Sequence, residues 1–143
     1  PYFEKALKEA GYVIGSKNKG YIRFTTNELA SKLPRTGQGW PDNEVFLFEI
    51  EYFWSDKYAV VNAVISPCDD DIKDKIIKSV EGSQKFKIPS GKKWLVFYKK
   101  KFPFIASEII NEDPSEIEKR ISTIIENIKP AVDEFCKLIL KHM

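Results

Sequence analysis

Two long β-forming runs, Val45 to Trp54 and Lys57 to Ser66, are separated only by the polar pair Ser55-Asp56. So short a link between runs rich in β-branched and aromatic residues predicts an antiparallel hairpin. In the first run both alternating sets are largely apolar: Phe46, Phe48, Ile50 and Tyr52 fall on one side, Val45, Leu47 and Phe53 on the other. A strand that is apolar on both sides must be covered on both for part of its length. The run therefore belongs in the middle of a sheet, and the rest of the chain has to supply its covering.

The flanking segments read as that covering. Tyr2 to Ala10 sets Phe3, Ala6, Leu7 and Ala10 at helical spacing, and Gly11 can close the helix in a left-handed cap. Residues 15–20 are turn-rich, and Tyr21 to Thr25 follows as a strand. Thr26 is placed to cap a short helix over Asn27 to Leu33, which Pro34 ends. Residues 35–43, RTGQGWPDN, form an irregular loop able to shape a site. Beyond the hairpin, Asp69 to Asp71 open a helix with the stripe Ile72, Ile76, Ile77 and Val80, ended by Gly82. Trp94 to Tyr98 is a strand that continues into Lys99-Lys100-Lys101. Asp113, Pro114 and Glu116 mark a helix start, followed by the stripe Ile117, Ile121, Ile124, Ile125 and Ile128. The stripe resumes after Pro130 with Val132, Phe135, Leu138 and Ile139, which gives a long C-terminal helix or a helix pair kinked near Pro130. This order predicts an α+β fold, a mostly antiparallel sheet of about four strands with helices packed on it.

At 143 residues, 43% hydrophobic and 31% charged, the chain has the size and balance of one folded domain, residues 1–143. It begins at Pro1 and turns helical at once, so a preceding domain is expected. No signal-like pattern and no bilayer-length apolar run occurs, which makes a cytoplasmic location and no membrane partner the expectation. Cys68 and Cys136 have no Cys or His at metal-ligand spacing and read as reduced thiols. With 23 basic against 21 acidic residues the net charge is only +2, so any surface for a polyanion must be local.

Groups for catalysis are scarce. The lone histidine, His142, lies at the fraying C-terminus, and there is no nucleophile elbow, phosphate-cradling glycine motif or Cys/His quartet. Pro41-Asp42 followed by Asp71-Ile72-Lys73 superficially spells a metal-dependent nuclease signature. That chemistry needs its carboxylates and lysine on neighbouring strand ends. Asp71 to Lys73 instead falls at a helix start, and Glu49 and Glu51 on the central strand lack a following lysine. No catalytic residue, metal site or cofactor is expected, and an unfamiliar active site would rest only on Asp42, Glu49 and Glu51.

Basic and aromatic positions are more informative. Lys17, Lys19 and Arg23 flank the first strand, while Lys92, Lys93, Lys99, Lys100 and Lys101 bracket Trp94 and Tyr98 on the last. Aromatics on a sheet can stack bases while lysines contact phosphates, which makes these ten residues a candidate nucleic-acid surface. Lysines also blunt edge strands, and Trp94, Val96 and Tyr98 fit an ordinary core-facing alternation, the reading that the sequence favours. Trp40 and Trp54, each beside a turn, can cover the core or wall a ligand. Phe102-Pro103-Phe104 can form a buried connection or dock on another protein, another domain or a second copy.

Several segments together carry a resemblance. Gly20-Tyr21-Ile22-Arg23-Phe24-Thr25-Thr26, Leu33-Pro34, Gly39-Trp40, Leu47-Phe48-Glu49, and Val64-Ile65-Ser66-Pro67 with Asp70-Asp71-Ile72 resemble the C-terminal region of bacterial PD-(D/E)XK nuclease-like proteins, and Lys93-Trp94 with Tyr98 is similar to its lysine-tryptophan strand. The likeness covers roughly residues 20 to 100. Ser66 stands where such proteins often have glycine, and Lys99-Lys100-Lys101 extends the basic character of the last strand. The resemblance implies a non-catalytic accessory domain, with the active site in an upstream nuclease-like domain. Its expected partners are DNA or RNA and that upstream domain, or a second copy. A docking or dimerisation module is the alternative.

Overall fold

A computed structural model describes residues 2–16, 20–53, 58–86, 93–103 and 114–142. Its elements, in chain order, are α1 (Tyr2–Glu9), β1 (Val13–Ile14), β2 (Tyr21–Thr25), α2 (Asn27–Lys32), β3 (Phe46–Phe53), β4 (Tyr58–Ile65), α3 (Asp70–Val80), β5 (Leu95–Pro103) and α4 (Pro114–His142). Among the described residues the strands form one antiparallel sheet in the order β1-β2-β3-β4-β5. The sequence predicts about four strands; the fifth is β1, two residues long and paired with the end of β2. So short a segment leaves no alternation to detect.

As the two apolar sets of its sequence predict, β3 is the central strand. It pairs with β4 from Phe46↔Ile65 to Phe53↔Tyr58, while the Ser55-Asp56 link lies outside the described residues. One face of the sheet carries Phe24, Phe46, Phe48, Ile50, Val61, Ala63, Ile65 and Phe97, all buried in the main core. The α4 stripe of Ile121, Ile124, Ile125, Ile128, Val132, Phe135 and Ile139 packs into the same core. Phe135 sits at its centre, stacked on Phe46 at 4.2 Å and within ring contact of Phe48, Phe86 and Phe97. Apolar residues three and four apart keep one helix face on the sheet from Ile121 to Ile139, about five turns.

Helix α4 runs through Pro130 as one helix. Proline removes the bond to the carbonyl four residues back, here that of Glu126. Glu126 and Pro130 are both exposed, so water can serve that carbonyl. At α2 the expected cap is present: Thr26 Oγ1 accepts from the Leu29 amide at 3.1 Å. At α3, Asp69 makes no side-chain cap bond, leaving Asp70 and Asp71 in the first turn to complement the helix dipole. Gly82, with φ of 84°, follows that helix as the sequence predicts. Cys68 and Cys136 are free thiols. Among the described residues no helix is long and apolar enough to cross a membrane.

Of the two roles that the sequence leaves open for Phe102, docking or a buried connection, the structure shows the buried one: Phe102 is in the core opposite Ala59. Phe104, like the expected cap Asp113, lies outside the described residues.

Candidate nucleic-acid interface

The face of the sheet turned away from the main core is built around the loop over residues 35–43. Backbone bonds fix that loop at several points: Gly37 N donates to Asn43 O, and Gln38 N to Pro67 O. Ser66 Oγ donates to the Glu44 carbonyl at 2.7 Å, and Ser16 Oγ to the Glu44 carboxylate at 2.7 Å. Gly37 has to be glycine, because a Cβ there would run into the Glu44 carbonyl. Held in this way, the loop lays Trp40 over Leu47 and Val64, with Val96 at the margin, in a second small core. Trp40 is therefore a cover, one of the two roles open to it in the sequence. Trp54 lies outside the described residues.

Beside that cover a polar row crosses the sheet. Cross-strand partners share a face, and the register aligns Arg23 with Glu49, Glu49 with Asn62, and Asn62 with Lys99. Arg23 Nε donates to Glu49 Oε2 at 2.9 Å. Its guanidinium lies over the rings of Tyr21 at 5.0 Å and Trp40 at 5.5 Å. Burial pushes the Glu49 carboxyl above its ordinary range; the Arg23 bond and charge act against that, and the Glu51 charge adds to it. Asn62 donates from Nδ2 to Glu51 Oε1 at 2.8 Å. Its Oδ1 and the Trp40 Nε1 are buried without a partner. The Glu51 charge, ahead of burial, pushes the Tyr21 hydroxyl up.

The candidate residues separate into groups. Lys99, opposite Asn62, and Lys101, opposite Val60, lie on this outer face, and both are exposed. Lys101 Nζ stands 3.9 Å from the Tyr58 ring centroid. Lys93 is exposed, and so is Trp94, at 40% of its surface. Trp94 meets Trp40 edge-on at 5.2 Å, and a Cβ on Gly39 would strike its ring. Lys100 pairs with Val61 on the other side of the strand, its Nζ 5.3 Å from the Phe102 ring. Lys17, Lys19 and Lys92 lie outside the described residues.

Two of the ten positions do not lie free on the outer face: Arg23 is buried, and Tyr98 is half-buried on the opposite side of the sheet. Arg23 is 6% exposed and bonded to Glu49, so its charge is already matched. Tyr98 turns to the main core, opposite Ala63 and beside Phe86, and burial pushes its hydroxyl up. The cause is a bulge. Val64 pairs with Val96 and Ala63 with Tyr98, so two residues of β5, Phe97 and Tyr98, span one step of β4. The alternation of Trp94, Val96 and Tyr98 on one face is broken there.

The carboxylates do not assemble a metal centre. Glu49 and Glu51 are engaged with Arg23 and Asn62, while Asp42 lies beside Ser16 across the loop. Among the described residues no three His, Cys, Asp or Glu side chains are grouped to hold a metal ion. Asp71 and Lys73 lie in α3, as their sequence context predicts. A wide groove of about 1160 Å³ runs beside α2 and the C-terminal half of α4, with Tyr12, Thr26, Cys136 and Leu140 among its walls. Its rim mixes Lys129, Lys137 and Lys141 with Glu28, Asp133 and Glu134, which leaves no field of one sign.

Sequence reasoning missed the Arg23–Glu49 pair. The available signal was a lone arginine in one strand and carboxylates two apart in another, all at positions that alternate with core residues. No family model matches the chain, and neither a curated protein nor a solved structure matches it.

Proposed function

We propose that this chain is a non-catalytic accessory domain that engages nucleic acid, in the role that its resemblance to the C-terminal region of nuclease-like proteins implies. The observation that carries the reading is the grouping on β5 and its approach. Lys93 and Trp94 are exposed at the start of that strand, and Lys99 and Lys101 are exposed on its outer face. Among the described residues β5 is an edge strand, bonded only to β4, so a polyanion can lie along it without displacing another element. Pairing of Arg23 with Glu49 matches the nearest buried charges, and the exposed lysines then have Glu51, in the cross-strand row of Val60 and Lys101, to outweigh.

Fluorescence anisotropy with labelled oligonucleotides tests this. Affinity should fall steeply with salt, and the double variant Lys99→Glu with Lys101→Glu should weaken binding and lower the salt slope by roughly 1.4 to 1.8, the value for two lost phosphate contacts. Lys100→Glu, on the other side of the same strand, should have the smaller effect. Absence of binding to DNA and RNA at low salt refutes the proposal.

A further inference from the structure

We infer that the nucleic acid taken by this face is single-stranded, with an unpaired base stacked on Trp94 and the backbone running along β5 over Lys99 and Lys101; this rests on the nucleic-acid reading above. Trp94 is the only exposed aromatic among the residues whose side chains are described. Its exposure is combined with fixed placement. The edge of Trp40 is in contact with it, and the absence of a side chain at Gly39 leaves the space its ring occupies. An indole held in position before a ligand arrives loses little freedom on binding, which favours stacking.

The bases of a duplex interior are covered above and below by their neighbours, so a surface indole has no base face to meet there. An unpaired base presents that face, whatever its identity. Lys99 and Lys101 are two residues apart on one side of a strand, a separation of about 7 Å. That spacing suits successive phosphates of an extended strand, with Trp94 further back along the same line. Among the described residues all four helices pack into the main core on the opposite side of the sheet, so none of them stands on this face to enter a groove of B-form DNA.

The test compares oligodeoxythymidine and oligouridine of about 12 nucleotides with a duplex of equal length, at low salt and with the whole chain. The single strands should bind tighter than the duplex and quench tryptophan fluorescence. Trp94→Ala should weaken single-strand binding by roughly 5- to 150-fold, the range set by base stacking on an aromatic, and weaken duplex binding much less. Trp94→Phe, which keeps a stacking ring and tolerates the same surroundings, should retain most of the affinity and guards against misfolding of the alanine variant. Equal binding of duplex and single strand, or an unaffected Trp94→Ala variant alongside a weakened Lys99→Glu/Lys101→Glu variant, overturns the stacking inference and leaves the proposed function standing. No binding to any of the three probes overturns both.

Discussion

Arg23 Nε on β2 donates to Glu49 Oε2 on β3 at 2.9 Å, and the two residues are 6% and 8% exposed. A buried pair of this kind is worth little against an apolar pair of the same shape, but removing one partner leaves an uncompensated charge. Arg23→Met should therefore destabilise the domain by about 3–5 kcal/mol at neutral pH. The double variant Arg23→Met with Glu49→Leu should recover most of that loss. Denaturant unfolding of the wild type, both single variants and the double variant measures the coupling directly.

The same carboxylate gives stability a pH dependence of known sign. Burial raises the Glu49 pKa above its ordinary 4.5, so the folded chain keeps this proton after the unfolded chain has released it. The group's contribution is then fullest below the unfolded value and is lost as pH rises through the folded one. The stability of the wild type relative to Glu49→Gln should fall as pH rises from about 4.5. A flat or rising difference over that range would show that Arg23 outweighs burial. The penalty of Arg23→Met should shrink as pH falls through the same range, because the stranded carboxylate is then neutral.

The glycines of the 35–43 loop should differ in their tolerance. At Gly39 an added Cβ meets the Trp94 ring and Pro67, whereas at Gly37 it meets the backbone carbonyl of Glu44. A side chain can turn aside more readily than a backbone that is held by Ser66. Gly39→Ala should cost about 1–3 kcal/mol and shift tryptophan emission as Trp94 moves. Gly37→Ala should cost more, since the loop must reopen. Thermal unfolding with tryptophan fluorescence separates the two outcomes.

The elements were legible in the sequence because each rests on a local pattern. The stripe from Ile121 to Ile139, the cap at Thr26 and the doubly apolar run of β3 all announce themselves within a few residues. The outer face was not legible, because it depends on register. Arg23 and Glu49 are 26 positions apart with a helix and an irregular loop between them, and no local pattern says which strand residues lie opposite each other. That Val96 and Tyr98 face opposite sides was not legible for a related reason: alternation assumes regular pairing, and a bulge suspends it.

That irregularity reconciles two demands on one strand. Phe97 and Phe102 both belong in the main core, yet five positions separate them, an odd interval that a regular strand would send to opposite sides. The surplus residue restores parity, and with it the outward direction of Lys99 and Lys101. Loss of one residue at the bulge would leave every downstream side chain facing as it does now. Gain of one between Phe97 and Phe102 would turn Phe102 out to solvent. For β5, chain length is thus a stricter specification than residue identity, and it is asymmetric: the strand has one position to give up and no room to add.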